Sequence, residues 1–167
     1  GISLYIGRTR AEAEEKYEQM QSLTPPEFAV RQLSLLLGVD LSEHPLDAPM
    51  PKVAPSATRA NPERWLEYSR DGQMTLRQAA LRATAAKAHW VMKGTPKEIA
   101  DHIEEWFTGD AADGFNLLPP YVPGSLAEFI DLVLPELRRR GLFRTDYEGK
   151  TLRENLGLRR PSNRFFQ

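Results

Sequence analysis

The stretch that decides the fold runs from Gly94 to Leu142, GTPKEIADHIEEWFTGDAADGFNLLPPYVPGSLAEFIDLVLPELRRRGL, and reads as helix, short buried strand, helix. Thr95 stands three residues before Glu98, with Pro96 at the first helical position. Hydroxyl and carboxylate can therefore satisfy each other's free backbone N–H groups, and Thr95 is the expected N-cap. Ile99, Ile103, Trp106 and Phe107 recur at spacings of three and four and gather on one apolar face, opposite Asp101, Glu104 and Glu105. The polar run Thr108 to Gly114 breaks that pattern. Phe115, Asn116, Leu117 and Leu118 follow without alternation until Pro119 and Pro120 forbid continuation, as in a strand covered on both faces. Ser125 and Glu128 repeat the capping-box spacing, and Leu126, Phe129, Ile130, Val133, Leu134 and Leu137 line a second helical face. Arg138, Arg139 and Arg140 occupy its last turn and Gly141 is the stop. Pro135 inside this pattern should kink the helix or split it.

Towards the amino terminus, Ile2 to Ile6 alternates mildly and is rich in β-formers, and Thr9 with Glu12 opens a helix over roughly Arg10 to Leu23. That helix ends at Pro25 and Pro26, and a second apolar segment from Phe28 to Leu37 stops at Gly38 as a short buried helix. Asp40 to Asp71 carries Pro45, Pro49, Pro51, Pro55 and Pro62, with little periodicity before Trp65, Leu66 and Tyr68. It reads as a long excursion, an insertion or lid at about 40–74 within a single domain. Thr75 and Gln78 cap a further helix, TLRQAALRATAAKA, which His89, Trp90, Val91 and Met92 connect to Gly94. Two strands separated by so long a crossover pair in parallel by default. They cannot make a stable parallel sheet alone, so strands supplied from before Gly1 are expected.

The chain has 167 residues, 41% hydrophobic and 27% charged, which is enough for one domain with a sizeable core. A net charge of −1 argues against a nucleic-acid binder, and the arginines at 138–140, 159, 160 and 164 read as a solvated helix end and tail. No cysteine is present, which excludes disulfides, cysteine-ligated zinc and thiol catalysis. Neither a signal peptide nor an apolar run of membrane-spanning length is visible, so a soluble, cytoplasmic protein is expected.

The segments GISLYIGRTRAEAEEKYEQMQ, LLLGVDLSEHPLDAPMP, TLRQ, GTPKEIADHIEEWF and ADGFNLLPPYVPGSLAEFIDLVLPELRRRGLFRTDYEGKTLRENLGL resemble, in order, the carboxyl-terminal portion of the flavin-dependent monooxygenases related to bacterial luciferase. The branch that oxidises nitrilotriacetate and dibenzothiophene sulfone is the nearest in pattern, and only Lys52 to Asp71 lacks a counterpart. The resemblance implies a partial TIM (β/α)8 barrel, mostly helical by content, whose last two strands are Ile2 to Ile6 and Phe115 to Leu118. It also implies a two-component enzyme in which reduced FMN from a separate flavin reductase reacts with O2 to oxygenate a small organic substrate, of aminopolycarboxylate or organosulfur type. The expected partners are the missing amino-terminal barrel half, the reductase, the small-molecule substrate and further copies of the chain. This chain alone is expected to bind no flavin and to be inactive. The alternative reading is a non-catalytic helical protein-interaction domain.

The family's main flavin contacts lie upstream of Gly1, so no catalytic or cofactor-binding residue is carried over. Barrel active sites lie at the carboxyl ends of strands, which directs attention to Gly7, Arg8 and the run Asn116 to Tyr121. Arg8 could hold an anionic group or be an ordinary surface arginine beside a helix start. Asn116, the lone polar residue of an apolar run, reads equally as pocket-facing or as a satisfied structural amide. Tyr121 and His44, the latter in the proline-rich excursion, complete the possible pocket-facing set. His89 and His102 read as packing or part-exposed residues without metal spacing, and no metal is expected. Trp65, Trp90 and Trp106 read as core or interface anchors. Asp110 and Asp113 read as turn residues. Without barrel neighbours, the inner faces of Ile2, Leu4, Ile6, Phe115 and Leu117 are expected to be open, leaving the isolated chain marginal.

Overall fold

A computed structural model describes residues 1–52, 74–86, 89–163 and 165. The β-rich start forms strand β1 (Ile2–Ile6), buried at every position, and Thr9 caps helix α1 (Arg10–Ser22) by accepting the Glu12 N–H. After the two prolines comes α2 (Pro26–Leu37), closed by Gly38 in the left-handed region. Helix α3 (Leu76–Thr84) opens with the Thr75/Gln78 capping box and ends sooner than its alanine content suggested. Residues 53–73, including Trp65, Leu66 and Tyr68, lie outside the described residues, and so does any test of most of the expected insertion.

Trp90–Gly94 is strand β2, where the sequence had suggested only a connector. It pairs in parallel with β1, Ile2 opposite Trp90 and Ile6 opposite Gly94. Pairing overrides local pattern here, because a five-residue strand between capped helices has too few residues to show a period. Helix α4 (Pro96–Thr108) begins with the complete Thr95/Glu98 capping box and Pro96 at its first turn, as the spacing predicts.

The run Phe115 to Leu118 is not a regular strand covered on both faces. It joins the other edge of β1 through a single parallel bridge, Ile2 with Leu117, in which the Ile2 N–H donates to the Asn116 carbonyl at 2.9 Å and the Leu118 N–H to the Ile2 carbonyl at 2.8 Å. Pro119 and Pro120 have no N–H to extend the ladder, and Asn116 and Leu118 are exposed. Helix α5 (Gly124–Glu128) starts one residue before Ser125 and lacks a side-chain cap, so the Ser125/Glu128 spacing was not a capping box. The Ser125 hydroxyl instead donates to the Tyr121 carbonyl.

Five residues of π-helix, Phe129–Val133, then lead into α6 (Leu134–Arg139). This is the split that Pro135 predicts: its ring cannot accept normal helix crowding four residues back, and the wider turn relieves the clash. A Schellman motif ends α6, with the Gly141 N–H on the Arg138 carbonyl and the Leu142 N–H on the Leu137 carbonyl. A last short helix, α7 (Leu152–Asn155), is capped by Thr151 and Glu154.

Alternation along β1 and β2 sends Tyr5 and Lys93 to one face, where Tyr5 meets the Tyr17 ring edge-on and Lys93 sits 4.4 Å over it. Ile2, Leu4, Ile6 and Met92 face the other way, into a cluster with Ile99, Ile103, Val133 and Leu137. Helices thus cover both faces of the small sheet. The expectation of an open inner face is corrected for Ile2, Leu4 and Ile6, which are at most 5% exposed because α4, the π-helix and α6 close over them. Burying each is worth about 1.5–3 kcal/mol. Phe115 and Leu117, at the bridged edge, are only half-buried. A second cluster joins α2 and α3 through Val30, Leu33, Leu37, Leu76 and Ala80, with Leu41 and Met50 from the proline-rich turns packed into it. The architecture is a partial α/β barrel, mostly helical, with a small open parallel sheet. No helix among the described residues is long and apolar enough to cross a membrane.

Candidate functional site at the carboxyl ends of the strands

Strand β1 is followed by Gly7, whose N–H donates to the Gly94 carbonyl at 3.1 Å and closes the sheet. A side chain there would meet the Ala13 nitrogen and the Thr9 carbonyl at 2.5 Å, so only glycine allows the chain to fold directly from strand into α1. The Arg8 N–H donates to Glu12 Oε2 at 2.7 Å. The Glu12 carboxylate therefore turns to Arg8 rather than completing a box with Thr9. Its other oxygen pairs with Lys16, and these two contacts hold its pKa below the usual carboxylate range.

Lys16 is the hub of this end. Its Nζ donates to the last β1 carbonyl, that of Ile6, at 2.7 Å and to Glu128 Oε1 at 2.7 Å. Partial burial works against its charge, but the bonds to Glu128 and Glu12 outweigh it and raise the pKa further. Glu128 Oε2 accepts the Tyr121 hydroxyl at 3.0 Å. Burial first, then the neighbouring Glu128 carboxylate, raises the Tyr121 pKa, so the phenol stays neutral and a donor. Gly124 makes room for the ring: a Cβ there would lie 2.8 Å from Tyr121 Cε2. The chain Tyr121, Glu128, Lys16, Ile6 carbonyl thus straps the turn after Leu118 to α1 across the end of the strand.

Of the residues singled out from sequence, the structure brings Tyr121 and the Arg8 backbone to this end. The Arg8 side chain is exposed at the mouth. The Asn116 side chain is also exposed, so it carries no burial cost that would demand partners, while its carbonyl serves the bridge to β1. His44 is exposed on a turn beside the α2–α3 cluster, its N–H on the Leu41 carbonyl, and is not joined to the strap. Lys16, Glu12 and Glu128 were missed. The i,i+4 spacing of Glu12 and Lys16 was visible, but the cross-chain pairing of Lys16 with a residue 112 positions away has no local signature.

The remaining candidates fall elsewhere. His102 lies edge-on to Trp90, 5.8 Å between ring centres, and Trp90, packed against the sheet cluster, lies against Trp106 at 4.6 Å. Asp110 takes a left-handed φ of 56°, ending α4 in the turn role read for it. Arg140 is not solvated: its side chain is 10% exposed and binds Glu136, Asp101 and Glu104 at 2.7–2.8 Å, locking α6 to α4. Among the described residues, no group of three histidine or acidic side chains could hold a metal.

No family model matches the chain. Its sequence is 46% identical over 166 residues to nitrilotriacetate monooxygenase component A of Aminobacter aminovorans, spanning 98% of this chain and 37% of that protein. It is 37% identical to the dibenzothiophene-sulfone monooxygenase of Rhodococcus erythropolis, over 93% of this chain and 36% of that one. Among solved structures, DmoA from Hyphomicrobium sulfonivorans superposes with a TM-score of 0.74 at 29% identity, over 93% of this chain and 32% of DmoA. A riboflavin lyase solved with modified FMN and riboflavin superposes with a TM-score of 0.64 at 32% identity, over 93% of this chain and 34% of the lyase. The chain spans about a third of the length of the relatives it matches, and the part it matches is their carboxyl-terminal portion. The relatives that the chain matches along that shared third are luciferase-like FMN-dependent monooxygenases.

Proposed function

We propose that this chain serves as the carboxyl-terminal wall of the barrel in a two-component flavin monooxygenase, which uses reduced FMN and O2 to oxygenate a small organic substrate of aminopolycarboxylate or organosulfur type. The observation that carries this reading is the 46% identity to a nitrilotriacetate monooxygenase component along 98% of the chain. In this reading a separate flavin reductase supplies the FMN, the rest of the barrel completes the site, and the assembly is a cytoplasmic homo-oligomer.

In this reading the chain alone holds no flavin. The groove at the bridged edge, lined by Ile2, Leu4, Leu117, Leu118, Leu126 and Phe129 among others, is apolar and offers no cation to a phosphate. The chain's own contribution is positional. Lys16 and Glu128 hold the Tyr121 turn against β1, and that turn, with the exposed Arg8, edges the mouth where barrel enzymes place their sites. Arg8 would orient an anionic substrate group, and the apolar edge would exclude water from the barrel interior. His44 and Asn116 remain candidates for contact with substrate once the barrel is complete.

The test is a chimera in which this chain replaces the corresponding third of the Aminobacter aminovorans component, assayed with reductase, NADH, FMN and nitrilotriacetate. O2-dependent consumption of nitrilotriacetate is expected. A folded chimera that binds reduced FMN yet oxygenates neither nitrilotriacetate nor dibenzothiophene sulfone would overturn the reading.

A further inference from the structure

Four helices among the described residues follow a threonine N-cap with Glu or Gln three residues later, and they do not all use that side chain in the same way. In α3, α4 and α7, the Gln78, Glu98 and Glu154 side chains turn back to accept the N–H of their own N-cap threonine, at 2.9, 2.8 and 3.0 Å. In α1, Thr9 accepts the Glu12 N–H at 3.2 Å, yet Glu12 Oε2 passes over the Thr9 N–H and accepts that of Arg8 at 2.7 Å. The other oxygen, Oε1, meets Lys16 Nζ at 3.1 Å, and Lys16 is itself fixed on the Ile6 carbonyl at 2.7 Å. A local rule kept three times and set aside at the helix that follows Arg8 points to a demand from outside that helix.

The consequence falls on Arg8. The Gly7 N–H is held by the Gly94 carbonyl at 3.1 Å and the Arg8 N–H by Glu12, so two successive peptide units leaving β1 are tied. The direction of the Arg8 Cα–Cβ bond is thereby set. Lys16 meanwhile takes up the charge of Glu12, so the carboxylate does not draw the Arg8 guanidinium to itself, and that guanidinium makes no ion pair among the described residues.

We propose that Glu12 is a positioning residue for anion recognition: with one carboxylate oxygen on the Arg8 N–H and the other on Lys16, it aims Arg8 at a substrate carboxylate that Glu12 itself never touches. This rests on the reading of Arg8 as the residue that orients an anionic substrate group. Aim matters because arginine meets a carboxylate through a planar fork of two parallel N–H bonds, which a shifted backbone misaligns. Glutamine cannot replace Glu12. Its Oε1 can accept the Arg8 N–H, but its Nε2 then faces the Lys16 ammonium, donor against donor.

The test is calorimetric binding of nitrilotriacetate to the flavin-free chimera with the Aminobacter aminovorans component, in four forms: unsubstituted, Glu12→Gln, Arg8→Ala and the double variant. The dissociation constant is expected to rise about five- to tenfold in Glu12→Gln and at least as much in Arg8→Ala, with the double variant within about twofold of Arg8→Ala, because Glu12 acts only through Arg8. Thr9→Ala, which removes the α1 cap and leaves Glu12 and Arg8 in place, should lower Tm but leave the dissociation constant within about twofold. That control separates aiming from helix capping, and circular dichroism checks that each form is folded. Binding is read without turnover, so a chimera that binds nitrilotriacetate but does not oxygenate it counts against the proposed function alone. No binding by the unsubstituted chimera, no loss in Glu12→Gln or Arg8→Ala, or a double variant weaker than Arg8→Ala by the full Glu12→Gln factor would overturn the proposal.

Discussion

The two hydrophobic clusters of this chain are finished to different degrees. Around α2 and α3, Leu33, Leu37, Leu41 and Leu76 are at most 2% exposed, and the turns at 38–50 seal the helix pair with Met50. Around the sheet, Ile2, Leu4 and Ile6 are as deeply buried, but the bridged edge at 115–118 is half open and the ends of the strands gather charge. A closed cluster contributes stability and little else. An open one, with Lys16, Glu128 and Tyr121 arranged at its carboxyl end, is where the polypeptide leaves something to be completed.

The largest contrast should come from truncating leucines in the two regions. Leu33→Ala leaves a cavity in the sealed cluster and is expected to cost about 2–5 kcal/mol in denaturant unfolding, whereas Leu117→Ala at the open edge should cost about 1 kcal/mol or less. Equal costs would mean that the edge is as well packed as the helix pair. Next is the ion cluster that binds α6 to α4. Arg140→Met, which removes the cation shared by Glu136, Asp101 and Glu104, should lower Tm by roughly 3–8 °C, against under about 2 °C for Arg139→Ala at the exposed neighbour.

That same cluster sets a pH dependence. Arg139 and Arg140 depress the Glu136 pKa from 4.5 to about 2. Between those values the unfolded chain takes up a proton that the folded chain refuses, so stability is full above about pH 4.5 and falls as pH drops towards 2. In Glu136→Gln that part of the acid loss should be missing, as read by thermal melts from pH 5 to 2. The smallest effect belongs to the turn after α4. Asp110→Gly relieves a side chain at φ 56° and should stabilise by about 0.5–1 kcal/mol. A loss there would show that the Asp110 carboxylate contributes more locally than its backbone conformation costs.

Local rules carried much of the fold. The caps at Thr9, Thr75 and Thr95, the stops at Gly38 and Gly141 and the interruption at Pro135 all act within four residues of themselves, and each was legible from spacing. What escaped was settled by partners distant in sequence. β2 exists because β1 lies beside it, and Phe115 to Leu118 loses regular strand character because Pro119 and Pro120 end its ladder after one bridge. The site divides the same way. Arg8 and Tyr121 were reachable from the rule that barrel sites sit at strand ends, while the Lys16–Glu128 pair depends on β1 bringing α1 and α5 to the same end of the sheet. Arg140 looked like one of three solvated arginines because nothing in a run of like residues says which one faces the neighbouring helix.

The central claim is that the open, charged end of the sheet is one side of a flavin site completed by further barrel strands. Anaerobic titration of reduced FMN into this chain, alone and combined with the amino-terminal two thirds of the Aminobacter aminovorans component, tests it directly. Saturable binding by the combination, with none by either piece alone, is the predicted result; stoichiometric binding by this chain alone, or none by a folded combination, would contradict it.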